Sequence, residues 1–515
     1  MVHNFNLGSL ARRNARLFPS RKALVMGDDY VTFLEFNKRV NKLANALTGL
    51  GIIKGKRILT LLPNSFALAE VYFAAAKLGA IVIPVNLRIL PQDVTYILSD
   101  SGSSLAVVMS DTFALLEPAA MELLENIVSI DKIEAPSLDY ESILAAADDR
   151  EPAASESVSP QDILTFCYTS GTTGKPKGCM MSQSAFLGSN QNIVMSYGVK
   201  ETDAWLNVIP FYHMGDLGFF FAFFHMGAAN VVLKKAEIEE ILINIEENRC
   251  TGTLLVPPLL TAVVEYQRKK AYDVSSLKFV VGAGGGLEST ATVEGVRDVL
   301  NCEFIGIYAQ TESGDVISSI NTREQLQRPG SCGRPLPNFE YRIVDDDDND
   351  VSVGSEGELI LRGPSIMTGY WNNPEATEET LKNGWHHTGD VCKEDEESYL
   401  YMVDRKKYMI KTGALNVYPK EVELCLREHP AIKESAIVGV PDSKWGEAIK
   451  AFVVLNPGHN LSPKEVSEWC RGKIANYKRP RWVEFVEAIP YSFTGKLMKN
   501  ELAGRPLSPE QSTTE

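Results

Sequence analysis

Short apolar runs of strand length alternate with helix-like segments along most of this chain, and the alternation restricts its fold more than any other feature. Residues 57–62 form an apolar run, residues 67–78 have helical length and stop at Gly79, and residues 80–84 are again apolar. The order recurs, with further strands predicted at residues 105–109, 231–233 and 253–256 and helices at residues 37–51 and 238–247. Strands separated by helices predict an α/β fold with largely parallel sheets.

The chain is long enough for more than one domain. Its 515 residues suffice for about three domains, and 44% hydrophobic with 23% charged residues are typical of a globular protein. Residues 146–160, rich in Pro, Ser, Ala and acidic side chains, predict a surface linker before a functional element. The acidic run 345–350 predicts a solvated turn between strands. Beyond residue 420, helix-like and strand-like segments fit a small α+β domain.

Charge and cysteine content argue against several kinds of partner. The formal net charge of −15 argues against nucleic acid or an anionic membrane, so an anionic ligand would need a local cluster of donors. The eight cysteines form no CxxC pair, which predicts reduced thiols in a cytoplasmic protein. Cys425 and His429 stand alone, so we predict no metal site there.

The sequence predicts neither a membrane helix nor a signal peptide. The longest apolar candidate, residues 217–226, falls short of the roughly 18 residues that a membrane helix needs. The arginine-rich start resembles a transit peptide in composition, but we favour an amphipathic first helix with Leu10 and Leu17 on its apolar side.

The strongest chemical signal is the segment YTSGTTGKPKG at residues 168–178. It holds three glycines, four serine or threonine hydroxyls and two lysines. Glycines let a backbone approach a ligand closely, hydroxyls and free amides donate hydrogen bonds, and lysines neutralise negative charge, so the segment predicts a loop around a triphosphate. A Walker A loop is excluded, because Gly171 and Gly174 are too close together and Pro176 stands where that motif needs a hydroxyl residue.

Five further motifs follow in the order typical of one family. They are PFYH at 210–213, YAQTE at 308–312, WHHTGD at 385–390, DRKK at 404–407 and TGK at 494–496. Together with the glycine-rich segment they make the sequence resemble the adenylate-forming superfamily over nearly its whole length: acyl- and aryl-CoA synthetases, luciferases and amino-acid adenylation domains. The resemblance implies a large AMP- and acyl-binding N-terminal domain of several subdomains with mostly parallel sheets, residues 1–403, and a small, mobile α+β lid domain, residues 404–515.

The resemblance also implies a set of nucleotide-binding residues. Thr311 and Glu312 follow the apolar segment 304–307, so we expect them at the carboxyl end of a strand, where Glu312 would hold Mg²⁺ against the phosphates. Asp390 is similar to the family aspartate that accepts both ribose hydroxyls, and Arg405 to the arginine beside the ribose or phosphates. The implied ATP and AMP set is Thr169, Ser170, Gly171, Thr172, Thr173, Gly174, Lys175, Lys177, Gly284, Gly285, Tyr308, Ala309, Thr311, Asp390, Arg405 and Lys496.

The acyl pocket is expected near His213. A lone histidine in an apolar stretch is usually a core residue, but this one matches the family histidine at the carboxylate end of the pocket. Seven aromatic residues occur from position 211 to 224; some would pack in the core and those nearest His213 would line the pocket. The predicted pocket residues are Phe211, His213, Phe220 and Gly306. The glycine run 282–286 is compatible both with a plain turn and with a loop against the adenine.

The resemblance implies the catalytic set Lys496, His213, Glu312 and Thr172. Lys496 matches the adenylation lysine, a point charge on a long stem that bridges the substrate carboxylate and the α-phosphate. Lys407 matches the position where the small domain turns between half-reactions, and the coenzyme A assignments are Lys411, Thr412 and Gly413. The sequence departs from the family pattern here, with Tyr408 in place of the common acid and TGALN at 412–416.

The implied reaction is ligation of a small carboxylic acid to coenzyme A with ATP and Mg²⁺, through an acyl-adenylate. We predict an apolar aliphatic or aryl acid, because relatives that adenylate amino acids place an aspartate in the segment beginning at Phe211, where this chain has Tyr212 and His213, with Asp216 further on. Two alternatives stay open: an amine or carrier protein as acceptor, and a non-catalytic AMP or acyl-CoA sensor. No nucleic acid partner is predicted, and a homodimer is left open.

Overall fold

The computed structural model of the protein describes residues 5–169, 176–283, 289–412, 415–442, 445–491 and 497–513. Within these residues the strands are β1 (Lys22–Met26), β2 (Asp29–Thr32), β3 (Arg57–Leu61), β4 (Ile81–Pro84), β5 (Leu105–Val108), β6 (Asn126–Ser129), β7 (Leu138–Asp139), β8 (Ile163–Thr169), β9 (Lys177–Ser182), β10 (Ala204–Asn207), β11 (Ala229–Val232), β12 (Gly252–Leu255), β13 (Phe279–Gly282), β14 (Glu303–Gln310), β15 (Asp315–Asn321), β16 (Arg334–Pro335), β17 (Glu340–Val344), β18 (Gly357–Arg362), β19 (Gly369–Tyr370), β20 (Leu381–Lys382), β21 (Trp385–Glu394), β22 (Leu400–Arg405), β23 (Ile410–Thr412), β24 (Leu415–Val417), β25 (Ile432–Asp442), β26 (Gly446–Leu455) and β27 (Trp482–Phe485).

The described α-helices are α1 (Leu7–Leu17), α2 (Phe33–Gly49), α3 (Phe66–Leu78), α4 (Pro91–Ser101), α5 (Ser110–Phe113), α6 (Pro118–Met121), α7 (Tyr140–Ala146), α8 (Gln183–Tyr197), α9 (Met214–Met226), α10 (Ile238–Asn248), α11 (Pro257–Lys270), α12 (Thr290–Gly295), α13 (Thr322–Gln327), α14 (Pro374–Thr380), α15 (Pro419–Arg427), α16 (Pro463–Trp469) and α17 (Lys499–Ala503). Short 3-10 turns occur at Ala153–Ser157, Lys406–Tyr408, Asn476–Lys478 and Pro509–Gln511, and a π-turn at Val296–Leu300. Among the described helices, none combines the length and the apolar composition that a bilayer crossing requires.

The described strands form two large sheets and two smaller ones. Their orders are β16-β15-β14-β13-β12-β10-β11-β1-β2, β19-β9-β8-β4-β3-β5-β6-β7, β17-β18-β21-β20 with β22 on β21, and β24-β23-β26-β25 with β27 on β26. In the two large sheets the inner strands pair in parallel, as in β3–β4 and β12–β13, whereas β8–β9 and β14–β15 pair antiparallel. Parallel strands joined through helices are the predicted α/β arrangement, which is confirmed.

Helix caps explain where the predicted elements begin and end. Helix α3 starts after Ser65, whose side chain accepts a hydrogen bond from Leu68 N, and stops at Gly79 with φ +67°, a left-handed conformation that favours glycine. Helix α2 begins at Phe33, earlier than the predicted residue 37, because Thr32 and Glu35 form a capping box. The predicted first helix is confirmed as α1; Leu10 is buried, but Leu17, predicted on the same apolar side, is exposed.

Helix α9 lies at the centre of the largest apolar cluster. Apart from Asp216 in its first turn and His225 in its last, its residues are apolar or glycine, and a helix of this kind is stable only inside a protein. Phe220, Phe221 and Phe224 are fully buried and belong to one cluster with residues of α1, α2, α3 and α8 and of both large sheets. Phe223 is equally buried but belongs to a second cluster with Trp205 and Phe219. The helix that follows His213 is therefore held rigidly from several directions.

The acidic segment before β8 is on the surface, as predicted, yet side chains of α2 and α3 hold it. Asn45 Nδ2 donates to Asp148 O at 2.8 Å, Asn41 Nδ2 to Asp149 O at 2.9 Å, and Lys77 Nζ to both carboxylate oxygens of Glu151 at 2.8 Å. Lys77 is only 1% exposed. Burial lowers the pKa of Lys77 to about 8, although Glu151 acts in the opposite direction. The segment thus has a fixed path into β8.

The chain divides into two compact units. One comprises Met1–Tyr341, Ile360–His387 and Ser398–Tyr401, and the other Arg342–Leu359, Thr388–Glu397 and Met402–Glu515. The second unit has apolar clusters of its own, built on β25 and β26 with α15 and α16. A domain boundary at residues 403/404 stays a prediction.

Candidate active site

The glycine-rich segment lies between two paired strands of the first unit. Strand β8 ends at Thr169 and β9 begins at Lys177, and these two residues are partners in the antiparallel pairing. The ends of the segment are therefore fixed next to each other. Several predicted site residues lie outside the described residues: Ser170, Gly171, Thr172, Thr173, Gly174, Lys175, Gly284, Gly285, Gly413 and Lys496.

Of the two carboxylate oxygens of Glu312, one accepts a hydrogen bond from a described residue and the other accepts none from that part of the chain. Thr311 and Glu312 directly follow β14, as the sequence predicts. Glu312 is half-buried, and its Oε1 accepts a hydrogen bond of 2.8 Å from the hydroxyl of Tyr370. Within the described residues Oε2 accepts no hydrogen bond. A carboxylate oxygen is a hard ligand, and one that accepts no hydrogen bond from the described residues fits Mg²⁺.

Tyr370 connects Glu312 with the end of the glycine-rich segment, and the sequence did not single it out. Lys177 Nζ lies 5.3 Å from the centroid of the Tyr370 ring, within the range of a cation–π interaction. Burial and then the negative charge of Glu312 raise the pKa of Tyr370 far above its usual value, so its hydroxyl keeps the proton that it donates. The motif GY at 369–370 was the available signal, but nothing in the sequence relates it to Glu312.

Backbone hydrogen bonds fix the segment 365–371 between Glu312 and β9. On one side, Met367 N donates to Glu312 O at 2.9 Å and Ser365 Oγ to Ser313 O at 2.8 Å. On the other side, β19 pairs with β9, and Trp371 N donates to Gly178 O at 2.8 Å. The predicted metal carboxylate and the strand that leaves the glycine-rich segment are therefore joined by a short, hydrogen-bonded piece of chain.

Tyr308 lies in β14 and is 5% exposed. Gln310 Nε2 donates to its hydroxyl at 3.3 Å, and Gln310 Oε1 lies 3.1 Å from His386 Nε2. Ala309, between Tyr308 and Gln310 in the sequence, is half-buried. A Cβ on Gly306 would lie 2.6 Å from a side-chain oxygen of α13, so the predicted pocket residue has no free space on that side.

His213 occupies the N-cap position of α9. Burial, and then the charge of Arg88, lower its pKa to about 4, so the imidazole is neutral at neutral pH. Phe211 and Phe220 are both fully buried with ring centroids 4.7 Å apart. They pack against each other in the core, and their predicted contact with an acyl group is not tested.

Asp216, in the first turn of α9, has both carboxylate oxygens engaged by protein donors. Trp205 Nε1 donates to Oδ1 at 2.7 Å and Ile209 N donates to Oδ2 at 3.0 Å. The residue is fully buried, and burial raises its pKa to about 8 despite these hydrogen bonds. Asp216 is thus a structural group, without a free oxygen for a substrate ammonium.

The second unit brings two other predicted residues together. Asp390 on β21 is fully buried, and Arg405 Nε, at the end of β22, lies 3.1 Å from its Oδ1. The backbone before Asp390 is fixed as well, since Gly389 N donates to Glu358 Oε1 at 3.0 Å. The carboxylate is chemically suited to accept hydrogen bonds from ribose hydroxyls. The guanidinium is suited to donate to a ribose or phosphate oxygen.

The predicted hinge and coenzyme A residues lie on different elements of the second unit. Lys407 is exposed in the 3-10 turn Lys406–Tyr408. Lys411 N donates to Glu447 Oε2 at 2.6 Å, and Thr412 is buried and paired with Gly446. The structure does not test their contact with coenzyme A.

Comparison with known proteins identifies the family. The profile described as AMP-binding enzyme matches residues 11–371, and the profile described as AMP-binding enzyme C-terminal domain matches residues 421–496. Feruloyl-CoA synthase of Amycolatopsis sp is 32% identical over 508 residues, which cover 98% of this chain and 100% of that protein. The long-chain-fatty-acid–CoA ligase of Mycobacterium tuberculosis is 33% identical over 500 residues, which cover 96% and 98%.

Solved structures agree with this relationship. The o-succinylbenzoate CoA synthetase of Bacillus subtilis, in complex with its acyl-adenylate intermediate, superposes with a TM-score of 0.85 at 27% identity and covers 97% of this chain and 98% of its own. The same enzyme is also solved with ATP and magnesium ion. The amide bond synthetase McbA of Marinactinospora thermotolerans has a TM-score of 0.83 at 28% identity, with coverages of 96% and 99%. The chain therefore belongs to the AMP-binding enzymes of the adenylate-forming superfamily and is an AMP-forming acyl- or aryl-CoA synthetase.

Proposed function

We propose that the substrate of this ATP-dependent acid–CoA ligase is an apolar aryl or aliphatic monocarboxylic acid without an α-amino group. The observation that carries the acid class is Asp216, the carboxylate nearest to His213 in sequence, whose two oxygens accept hydrogen bonds from Trp205 and Ile209. A substrate ammonium would need an unoccupied carboxylate. Relatives named for ferulate and for long-chain fatty acids support the same acid class.

The reaction has two half-reactions. In the first, a carboxylate oxygen of the acid attacks the α-phosphorus of ATP, the bond to the β-phosphate oxygen breaks, and diphosphate leaves. In the second, the coenzyme A thiolate attacks the acyl carbon of the adenylate, and AMP leaves as the anion. Both reacting partners of the first step are anions, so positioning and charge neutralisation dominate catalysis.

We assign each step to residues of this chain. Lys496 would bridge the substrate carboxylate and the α-phosphate, and Lys177 would contribute positive charge at the end of the glycine-rich segment. Asp390 would accept the ribose hydroxyls, with Arg405 beside it. Glu312 would hold Mg²⁺, which when bound neutralises phosphate charge. His213, neutral at the pH of the reaction, would limit the carboxylate end of the pocket without adding charge.

Diphosphate release with and without coenzyme A, over a panel of acids, tests the proposal. We expect cinnamate-type, other aryl or fatty acids to release diphosphate, coenzyme A to accelerate turnover, and mass spectrometry to find the acyl-CoA product. Turnover of free α-amino acids without any apolar acid would contradict the acid class. Release that depends on an added amine, with an amide as product, would support the alternative acceptor that the amide bond synthetase suggests.

We further propose a cytoplasmic location. Its support is the set of eight free cysteines, seven of them buried. The family resemblance leaves a homodimer open, and light scattering in solution decides between a monomer and a dimer from the chain mass of 56.8 kDa.

A further inference from the structure

We infer that Tyr370 is a positioning residue that fixes the metal-binding carboxylate of Glu312. The inference rests on the proposed role of Glu312 as the Mg²⁺ ligand. The hydroxyl of Tyr370 donates to Glu312 Oε1 at 2.8 Å, which leaves Oε2 to bind the metal. Partners that orient a metal ligand in this way commonly change metal affinity when they are lost.

The hydrogen bond from Tyr370 restricts the side chain of Glu312, which has no other side-chain hydrogen bond to the described part of the protein. Within the described residues, the Tyr370 hydroxyl is the one hydrogen-bond donor to the Glu312 carboxylate. The backbone of Glu312 is fixed by Met367 N, but its side-chain torsions are not. Without the hydroxyl, Glu312 would sample several rotamers, and metal binding would have to select one of them.

The second argument is the position of Tyr370 relative to the glycine-rich segment. Residue 370 pairs with Cys179 in β9, two residues beyond Lys177, and Lys177 Nζ lies 5.3 Å from the Tyr370 ring. One side chain therefore contacts both a predicted metal carboxylate and a predicted phosphate-binding lysine. This arrangement sets the separation of two opposite charges that must meet the same triphosphate.

A purely structural tyrosine would behave differently, and the variant Tyr370→Phe separates the two roles. Phenylalanine keeps the ring, its packing and the cation–π contact, and removes only the hydroxyl. Tyr399→Phe is the matched control, because Tyr399 also donates to a glutamate, Glu324, at 2.7 Å in the same unit. Thermal midpoints of both variants show whether either change merely weakens the fold.

The direct measurement is Mn²⁺ binding in the presence of α,β-methylene-ATP, followed by electron paramagnetic resonance on the full chain. We expect Tyr370→Phe to raise the dissociation constant of Mn²⁺ about 10- to 100-fold. Tyr399→Phe should leave it unchanged. Unchanged Mn²⁺ affinity in Tyr370→Phe, or a loss matched by a lower thermal midpoint in both variants, would overturn the inference.

Glu312→Gln separates this inference from the proposed function. If Glu312→Gln weakens Mn²⁺ binding and Tyr370→Phe does not, Glu312 is the ligand and the inference about Tyr370 is wrong. If neither variant weakens binding, the assignment of Glu312 is itself wrong. In steady-state adenylation we expect Tyr370→Phe to raise the Mg²⁺ concentration for half-maximal rate, with the rate recovered at high Mg²⁺. A rate that stays low at all Mg²⁺ concentrations would indicate a structural defect instead.

Discussion

His213 carries no charge at neutral pH, so it can lie beside a substrate carboxylate only as a neutral hydrogen-bonding and shape-determining group. Burial and Arg88 lower its pKa to about 4 from the usual 6.5. Since the unfolded chain takes up this proton first, the contribution of His213 to the free energy of unfolding is complete above pH 6.5 and is lost as the pH falls towards 4.

We predict that the His213 imidazole titrates with a midpoint near pH 4 in the folded protein. Nuclear magnetic resonance of ¹³C-histidine-labelled protein measures this midpoint, and His213→Gln identifies the signal among the seven histidines. A midpoint close to 6.5 would show that water reaches the ring. In that case the histidine would be partly charged at neutral pH and would attract the substrate carboxylate.

Lys496 is the residue that we propose for the first half-reaction alone. We predict that Lys496→Ala lowers the adenylation rate by about 10²- to 10³-fold, the usual loss for one transition-state donor. Thioester formation from a supplied acyl-adenylate should stay close to the unmodified rate. Lys433→Ala, at an exposed lysine of the same unit, is the control and should change neither rate. An equal loss in both half-reactions would assign Lys496 a structural role.

Single residues of the site differ in how far the sequence reveals them. Glu312, Asp390 and Lys496 belong to short motifs, and the residue types and order of these motifs are enough to predict their roles. Tyr370 stands 58 residues from Glu312, and a tyrosine is common in cores and on surfaces alike. Its contact depends on the pairing of β19 with β9, a tertiary event that no local pattern encodes.

At the scale of elements, α9 tolerates a side chain at one glycine and not at another. A Cβ on Gly218 would lie 2.1 Å from Oδ2 of the buried Asp315, whereas a Cβ on Gly215 would meet nothing within 4 Å. Both glycines lie in the same helix, so the difference between them isolates packing from helix propensity.

We predict opposite effects of two alanine substitutions in α9. Gly218→Ala should lower the free energy of unfolding by about 1–3 kcal/mol, because the core must shift to admit the methyl group. Gly215→Ala should raise it by up to about 1 kcal/mol, because alanine favours the helix. Urea unfolding monitored by tryptophan fluorescence measures both. Similar changes in the free energy of unfolding of the two variants would mean that the Asp315 side chain moves aside at little cost.

Elements were predictable to the extent that local patterns determine them. The apolar runs of β3 to β5 and the glycine after α3 were recognisable, because buried parallel strands have few polar residues and a left-handed cap favours glycine. The start of α2 was missed by four residues, since the capping box of Thr32 and Glu35 lies before the apolar pattern. The two-residue strand β19 was missed altogether, because two residues are too few to show an alternation of apolar and polar side chains.

The whole molecule consists of two compact units. The family resemblance predicts that the smaller unit changes position between the two half-reactions. Lys407, the predicted pivot, is exposed, and its Nζ lies 4.9 Å from the Tyr408 ring. An exposed residue in a short turn can change its backbone angles at little cost in packing. A hinge needs that freedom.

We predict that Lys407→Pro keeps adenylation and loses most of the thioester-forming step. Proline fixes φ near −65° and removes the backbone donor, so one hinge conformation is frozen. Lys407→Ala, which removes the charge but keeps φ free, should retain both half-reactions. Each half-reaction is assayed separately, diphosphate release for the first and acyl-CoA formation from supplied adenylate for the second. Full rates for both in Lys407→Pro would place the pivot elsewhere.

The way α2 and α3 hold residues 148–151 has a consequence for how such a chain can evolve. A surface segment of this composition would ordinarily accept insertions and deletions. Here the carbonyls of Asp148 and Asp149 and the carboxylate of Glu151 each accept a hydrogen bond from a side chain of α2 or α3. A change in length would misplace these groups and deprive the buried ammonium of Lys77 of its carboxylate partner. We expect descendants of this chain to vary the segment by substitution and to conserve its length.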